Sequence, residues 1–403
     1  MADQPFLPYG RQTIEDDDVA AVVEALKADF LTTGPRVEAF EAAFAQTVGA
    51  RHAIACSNGT TALHLAMAGL AVKRGEAVIV PAVTFVATAN AARFQGAEVV
   101  FADVDPSSGL MTEGRLADAI GRLDGRPLAA VAPVHLMGHA VDLPAVRRLA
   151  EGQGAAVVED ACHALGTTMD FGGGPERVGD GRHSALACFS FHPVKTIATG
   201  EGGMVTTNDD ALAARVRLLR SHGVTRDPAA FTAPDISLDA DGAANPWANE
   251  MQALGFNYRL PDILCALGLS QLKKLPRFAA RRRELAARYR DRLAPLAPLV
   301  RAAVVPATCD PAPHLFVALV DFEAAGTTRS AVMRALAANG VGTQVHYIPV
   351  HRQPYYRARY GELHLPGADA WYARALSLPL FPGMADDDPD RVVDALRAVL
   401  GAG

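Results

Sequence analysis

The stretch SALACFSFHPVKTIATGEGG (184–203) decides how the rest of the chain is read. It opens with an apolar run, 185–191, of the length and composition of a buried strand. A proline, a lysine and a glycine-rich loop follow, and a second apolar run, 203–207, closes it. A lysine held between two buried strands is unusual, because an ammonium resists burial and gives up its charge there. Composition sharpens the point: of 38 lysines and arginines only those at 27, 73, 195, 273 and 274 are lysine. Where positive charge alone is needed, this chain nearly always uses arginine. Lys195 beside a glycine loop therefore points to a use for the primary amine itself, and Schiff-base formation with an aldehyde is the chemistry that a guanidinium cannot replace. For this stretch alone, a plain surface lysine at a strand end is the competing reading.

Outward from the lysine, strand and helix alternate. HAIACS (52–57) leads into a helix from Thr60, AVIVP (77–81) into a helix through 87–94, and AEVVFADV (97–104) into a helix from Glu113. LAAVAPVH (128–135) is followed by a helix over 143–152 and then by AAVVEDA (155–161). Units of this length predict an α/β fold with a mostly parallel sheet covered on both faces by helices. Two helices precede them: 14–28, capped by Thr13 with Val19, Val22, Val23 and Leu26 on one face, and 37–48, separated from the first by DFLTTGP (29–35). Residues 167–183 and 225–249 are expected to be loops. The region 261–296 is strongly helical, and its adjacent Arg281, Arg282 and Arg283 are expected on a solvated face. Beyond Pro298, HLFVALVDF (314–322), a helix over 328–339, GVGTQVHYI (340–348) and a helix over 388–400 predict a smaller C-terminal α+β domain.

With 403 residues, half of them apolar, the chain can bury a large core, and two domains are expected, 1–270 and 271–403. A net charge of −6 argues against nucleic acid or an anionic membrane as the main partner. MADQPFLPYG has no basic segment followed by an apolar one, so no export signal is expected. The longest uncharged stretch, 77–92, contains Pro81 and changes period, which fits strand, turn and helix and no membrane span. The cysteines at 56, 162, 188, 265 and 309 are widely spaced with no CxxC, and a reducing, cytoplasmic setting is expected.

In a parallel sheet, side chains at the carboxyl ends of the strands converge on the ligand crevice. Asp160 ends the run AAVVED, where a carboxylate can keep a pyridinium nitrogen protonated; an isolated Asp at that place is otherwise a helix cap. SNGTT (57–61) ends a strand and opens a helix, so Gly59 and Thr60 offer free backbone N–H groups to a phosphate, although Ser, Asn and Thr also cap helices that bind nothing. Ser190 could add a donor. Phe85 could stack on a flat ring or sit in the core, and His163 could donate to a phenolic oxygen or be a core histidine. Together these residues describe a pyridoxal 5'-phosphate site. A GxGxxG after a strand and an HExxH are both missing, and His135 and His139 (HLMGH) fit a turn better than a zinc site, so no metal is expected.

SNGTTALHLA, PAVTFVATANAARFQGAEVVFADVD, VEDACHALG, FSFHPVKTIATGEGGMVTT, LRSHG, LGFNYRLPDILCALGLSQLKKL and QVHYIPVHRQPYY stand in the order found in nucleotide-sugar aminotransferases. From Tyr9 to about Pro382 the chain resembles the DegT/DnrJ/StrS family of fold-type I, pyridoxal-phosphate enzymes. YGRQTI, ADFLTTGP, GLSQLKKL, VHYIPVH and SLPLFPGM are most similar to the transaminases of pseudaminic acid biosynthesis. The resemblance implies a homodimer with composite active sites, in which L-glutamate gives its amino group to C4 of a UDP-4-keto-6-deoxy-N-acetylhexosamine. The same reaction on a GDP-linked precursor of perosamine or on a dTDP sugar is the alternative. By the same resemblance Lys195 forms the Schiff base and moves a proton, Asp160 pairs with the ring nitrogen, and His163 lies near the cofactor hydroxyl. Gly59, Thr60 and Ser190 hold the phosphate, Phe85 covers the ring, and Asn257 of the NYR motif reaches the phosphate of the neighbouring subunit's cofactor. Arg259, Tyr9, the turn Asp29, Phe30, Leu31 and Thr32, and the segment His346, Tyr347, Ile348 and Pro349 match positions lining the sugar-nucleotide pocket. Relatives with His at the lysine position dehydrate instead, so Lys195 favours transamination.

Overall fold

The computed structural model describes residues 5–401. Its apolar runs pair as the alternation predicts. The strands β1 (His52–Cys56), β2 (Ala77–Pro81), β3 (Glu98–Ala102), β4 (Leu128–Val131), β5 (Ala156–Asp160), β6 (Leu186–Ser190) and β7 (Gly203–Thr207) form one sheet in the order β1-β7-β6-β5-β4-β2-β3. Every pair is parallel except those made by β7, which runs against both β6 and β1. β2 and β7 are buried at every position, as strands covered on both faces must be. Covering helices follow the strands: α3 (Gly59–Gly69), α4 (Val86–Phe94), α5 (Glu113–Ile120), α6 (Leu143–Glu151) and α7 (Asp210–Arg220).

The reversal at β7 positions the lysine. Because β7 returns antiparallel beside β6, the 191–202 connection stays at the carboxyl end of β6. The register sets Ser190 opposite Gly203 and Gly203 opposite Cys56, so the β1–α3 turn and the lysine loop meet there. Gly203 permits the approach, since a Cβ on it would stand 2.3 Å from the Asn58 carbonyl oxygen.

Helices α1 (Asp16–Leu26) and α2 (Pro35–Val48) pack on the long α8 (Asp262–Leu293). The first helix departs from expectation. Its N-cap is Glu15, in a capping box with Asp18, while the Thr13 carbonyl accepts from Gln271. Asp18 and Ala25 face inward, and Val19, Val23 and Leu26 face out at 53, 41 and 55 % exposure. The expected solvated arginine face is also corrected at one position: Arg282 is 1 % exposed and donates to the carbonyls of His314 (3.1 Å) and Leu380 (2.8 Å). Neither long loop is featureless. Residues 168–170 and 175–177 form a hairpin extended by 309–310, and 225–249 is tied down by buried Glu250, which accepts from Thr232, Ala233 and Ser237.

C-terminally, β8 (Val300–Ala302), β9 (Phe316–Val320) and β10 (Ala375–Leu378) make an antiparallel sheet, flanked by α9 (Arg329–Ala338) and α10 (Asp388–Leu400). The main core holds the large sheet, and a second apolar cluster joins this small sheet to Leu285, Tyr289 and Leu293 of α8 and to Leu7. Cys265, Leu272 and Leu275 of the same helix belong to the main core, so α8 runs through both. GVGTQVHYI contributes isolated bridges only, Val341 to Leu7 and Gln344 to Ser377. No helix among the described residues is long and apolar enough to cross a membrane.

Candidate active site

At the carboxyl edge of the large sheet lies a cavity of about 640 Å³, and Lys195 is on its wall. Tyr9, Gly59, Thr60, Phe85, Asp160, His163, Ser190, His346, Tyr347 and Ile348 line the same cavity. Asp29, Phe30, Leu31, Thr32, Asn257, Arg259 and Pro349 do not. The 29–32 turn is exposed and Pro349 is buried. Arg259 lines a separate cavity of about 530 Å³ with Thr33, Gly34, Arg217 and Arg220. Asn257 is exposed, although the next carbonyl, that of Tyr258, accepts from the Ser57 N–H at 2.8 Å.

Asn58 caps α3: its side chain accepts from the Thr61 N–H (2.9 Å) while Thr61 Oγ1 accepts from the Asn58 N–H (3.1 Å). That leaves the N–H groups of Gly59 and Thr60 without an acceptor among the described residues, at the positive end of the helix. A Cβ on Gly59 would meet the Ser190 Cβ at 2.8 Å and Cys162 Sγ at 3.2 Å, so only glycine lets this turn close on Ser190. The result is a cup of free donors sized for an anion.

Asp160 ends β5 and is 5 % exposed. Thr88 Oγ1 donates to its Oδ2 at 2.6 Å and the Cys162 N–H to its Oδ1 at 3.2 Å, which holds the carboxylate in place. Thr84 stands behind, its hydroxyl 2.8 Å from that of Thr88. Nothing in the sequence distinguished either threonine from other helix-start residues. Lys195, by contrast, is unpaired: among the described residues no carboxylate lies within 4.0 Å of Nζ and no hydrogen bond engages it. Burial pushes its ammonium below the ordinary lysine range, against the opposite pull of Cys162 and Asp160.

Three histidines complete the wall. His163 Nδ1 accepts from the Met137 N–H (3.3 Å), which leaves Nε2–H to donate to the Tyr347 hydroxyl (3.1 Å). His346 Nδ1 bonds Ser377 Oγ at 2.7 Å, and burial drives its imidazole down to about 3, so it is neutral. His314 was not foreseen as a site residue. It is 2 % exposed, lines the cavity and lies 4.4 Å from His163, ring centre to ring centre. Its one sequence signal is a histidine opening an otherwise apolar strand run. His135 of HLMGH is engaged by buried Glu159 at 2.9 Å, and among the described residues no three His, Cys, Asp or Glu side chains gather around a metal-sized gap.

An anion cup, a buried carboxylate and an unpaired amine around one cavity fit pyridoxal phosphate, whose phosphate, ring nitrogen and aldehyde ask for those groups. A family model described as the DegT/DnrJ/EryC1/StrS aminotransferase family matches residues 12–397. The chain belongs to that family. Helicobacter pylori PseC, an aminotransferase involved in the biosynthesis of pseudoaminic acid, is 26 % identical with a TM-score of 0.86, over 99 % of this chain and 100 % of that one. TlmJ of Streptoalloteichus hindustanus is 31 % identical with a TM-score of 0.86, over 98 % and 99 % of the two chains. DesI, solved in the presence of its TDP-sugar product, is 32 % identical with a TM-score of 0.83, over 100 % and 94 %. The protein is thus a pyridoxal-phosphate-dependent sugar aminotransferase, and its cavity lies at the carboxyl ends of the parallel strands, where the sequence pattern puts a ligand crevice.

Proposed function

We propose that this aminotransferase moves an amino group from L-glutamate to C4 of a UDP-linked 4-keto-6-deoxy-N-acetylhexosamine, as pseudaminic acid biosynthesis requires. The observation that carries amino transfer is the unpaired Nζ of Lys195 in a cavity that also holds Asp160. The substrate assignment is supported by the likeness to PseC and by the motifs YGRQTI and VHYIPVH.

When bound, pyridoxal phosphate supplies an electron sink and a carbon able to take up and release the amino group. Gly59, Thr60 and Ser190 would hold its phosphate, Asp160 its ring nitrogen and Phe85 its face. Lys195 would hold its aldehyde carbon, and its amine would take and return the proton at the substrate carbon. A lowered pKa suits both duties, since the amine must be neutral to attack and basic enough to carry a proton. Tyr9, His346, Tyr347 and Ile348 form the sugar-nucleotide wall.

Asp29 to Thr32, Asn257 and Arg259 serve the site of a second copy, in a cytoplasmic homodimer with Asn257 toward the neighbouring cofactor's phosphate. The outward apolar face of Val19, Val23 and Leu26, which sequence continues into exposed Phe30 and Leu31, supports that assembly. A second reading, a TDP-linked keto sugar, is favoured by the higher identity to DesI.

Incubation with UDP-, GDP- and TDP-4-keto sugars plus glutamate, following 2-oxoglutarate, tests both readings. The UDP sugar is expected to lead in kcat/KM on the order of 10²-fold. A lead for the TDP sugar would install the second reading, and no 2-oxoglutarate from any sugar would remove the proposed glutamate-dependent transfer.

A further inference from the structure

For a sugar nucleotide, the Lys195 cavity of a single chain is incomplete. Asp160 and Glu201 line it, but Lys195 is the only lysine or arginine among the described residues that do. That amine belongs to the aldehyde, so a diphosphate finds no cation there. The segment 219–258 shows what a second copy can bring. Its two legs run antiparallel: Val224 pairs with Met251, Ser221 bridges Asn257, and the His222 N–H donates to the Phe256 carbonyl at 2.7 Å. Gly223 and Gly255 let the legs close, since a Cβ on Gly223 would collide with the Ala253 carbonyl oxygen and one on Gly255 with the Gly223 nitrogen. Farther out, Glu250 holds Thr232, Ala233 and Ser237, and the Ala248 N–H closes a turn on the Asn245 carbonyl at 2.9 Å. This ribbon is held in shape, yet Leu254, Met251 and Ile236 are exposed, and Trp247, in the turn before Glu250, is 74 % exposed. The chain's other tryptophan, Trp371, is fully buried. An ordered indole left in water on an apolar strip marks a contact made outside this chain.

We propose that the ribbon of one copy closes the mouth of the other copy's Lys195 cavity, and that its Trp247 stacks on the base of the sugar nucleotide bound there. This rests on the second-copy reading given above, which sets Asn257 at the neighbouring cofactor's phosphate. The apolar strip is continuous with the face already given to that assembly. Ser221 and Arg259, at the base of the ribbon, line one cavity with Thr33 and Gly34, and exposed Phe30 and Leu31 lie just before these in the same turn. From Asn257 the leg runs outward through Leu254 to Met251, at most roughly 20 Å when fully extended, and Trp247 follows. A bound sugar nucleotide lies the same way, with its reacting carbon at the aldehyde and its base outermost. An indole adds no charge beside the diphosphate, and stacking tolerates any base. Trp247 therefore sets affinity for a nucleotide-linked sugar over a bare sugar phosphate, without choosing the base.

The test is steady-state kinetics of the full-length holoenzyme with L-glutamate and whichever 4-keto sugar nucleotide of the panel above reacts best. Trp247→Ala is expected to raise the KM for that sugar nucleotide about tenfold with little change in kcat, and Trp247→Phe to recover most of the loss. Circular dichroism and analytical ultracentrifugation check that each variant is folded and dimeric. Copies carrying Lys195→Met are then paired with copies carrying Trp247→Ala, and the hybrid is isolated through two affinity tags. The one working lysine of the hybrid faces an intact Trp247 on the other copy, so the parental KM is expected to return at about half the parental kcat. A hybrid that keeps the raised KM places Trp247 in its own chain's cavity and overturns the proposal. So does a Trp247→Ala enzyme with an unchanged KM, or a rise in KM that vanishes at high enzyme concentration, which makes the indole an assembly contact only. A monomeric parent would sink the proposal together with the second-copy reading beneath it.

Discussion

Two lysines of this chain, Lys274 buried and Lys195 half-buried on the cavity wall, sit in opposite surroundings. Lys274, with a side chain 8 % exposed, has Asp17 at 2.5 Å, Asp18 at 2.7 Å and Glu15 at 3.3 Å. Although burial works against it, the hydrogen bonds its ammonium donates to these carboxylates raise its pKa above the ordinary lysine value. Lys195 has no carboxylate within reach, and its pKa falls. The difference teaches that burial alone does not mark a working amine. Desolvation without a counter-charge does, because it makes the amine easier to deprotonate, where the paired lysine stays a fixed cation that clamps α1 to α8.

The largest effect expected from breaking this contrast is on turnover. Lys195→Met and Lys195→Arg should each lower kcat/KM for amino transfer by about 10³-fold or more, since neither side chain can capture an aldehyde or relay the proton. Lys274→Met should stay within a few-fold of the parent per folded molecule. Equal losses at the two positions would erase the distinction.

Stability should move the other way. Lys274→Met leaves Asp18, fully buried, without its cation, and is expected to cost about 2–3 kcal/mol, less than a fully enclosed pair because Glu15 and Asp17 reach water. Lys195→Met in the cofactor-free protein is expected to cost nothing or to gain up to about 1 kcal/mol, because a half-buried cation with no carboxylate partner is removed. Acid and base sharpen the comparison. The Asp18 pKa is lowered, with Lys274, Ser270, Glu15 and Gln271 outweighing burial. Its contribution is therefore full above the unfolded aspartate value and lost as pH falls through the lower folded value. The Lys274 contribution is full below the ordinary lysine value and lost as pH rises through its higher folded one. The Lys274→Met deficit, measured by denaturant unfolding, should be flat near neutrality and shrink at both extremes. The Lys195→Met advantage should fade only as pH climbs toward the ordinary lysine value. A deficit that grows in acid would contradict the assignment of the clamp.

Much of this architecture was legible from local pattern. Apolar runs bounded by Gly, Pro and Asp mark each strand of the large sheet, and Asp160 at the end of one and SNGTT at the end of another already point at a crevice. What stayed hidden depends on contacts between segments far apart in sequence. That β7 runs against its neighbours is settled by pairing with both β1 and β6, which periodicity does not encode. Arg282 sits in a run of charged residues that looks solvated, yet α8 turns it toward two carbonyls from other elements. Val19, Val23 and Leu26 have the spacing of a core face, but the inward face of α1 is decided by Asp18 and its bonds to Gln271 and Lys274. The scarcity of lysine drew attention to Lys195 for a sound chemical reason, but it could not separate that residue from Lys274, whose carboxylates lie more than 250 positions away. His314 was missed because a lone histidine before an apolar run carries no pattern of its own.

The most direct test of the central claim is borohydride reduction of the holoenzyme, followed by mass mapping of the peptide that carries the pyridoxyl group. The account predicts a single modified position, Lys195. A label on Lys274 or any other lysine, or no covalent label in protein that has bound the cofactor, would contradict it.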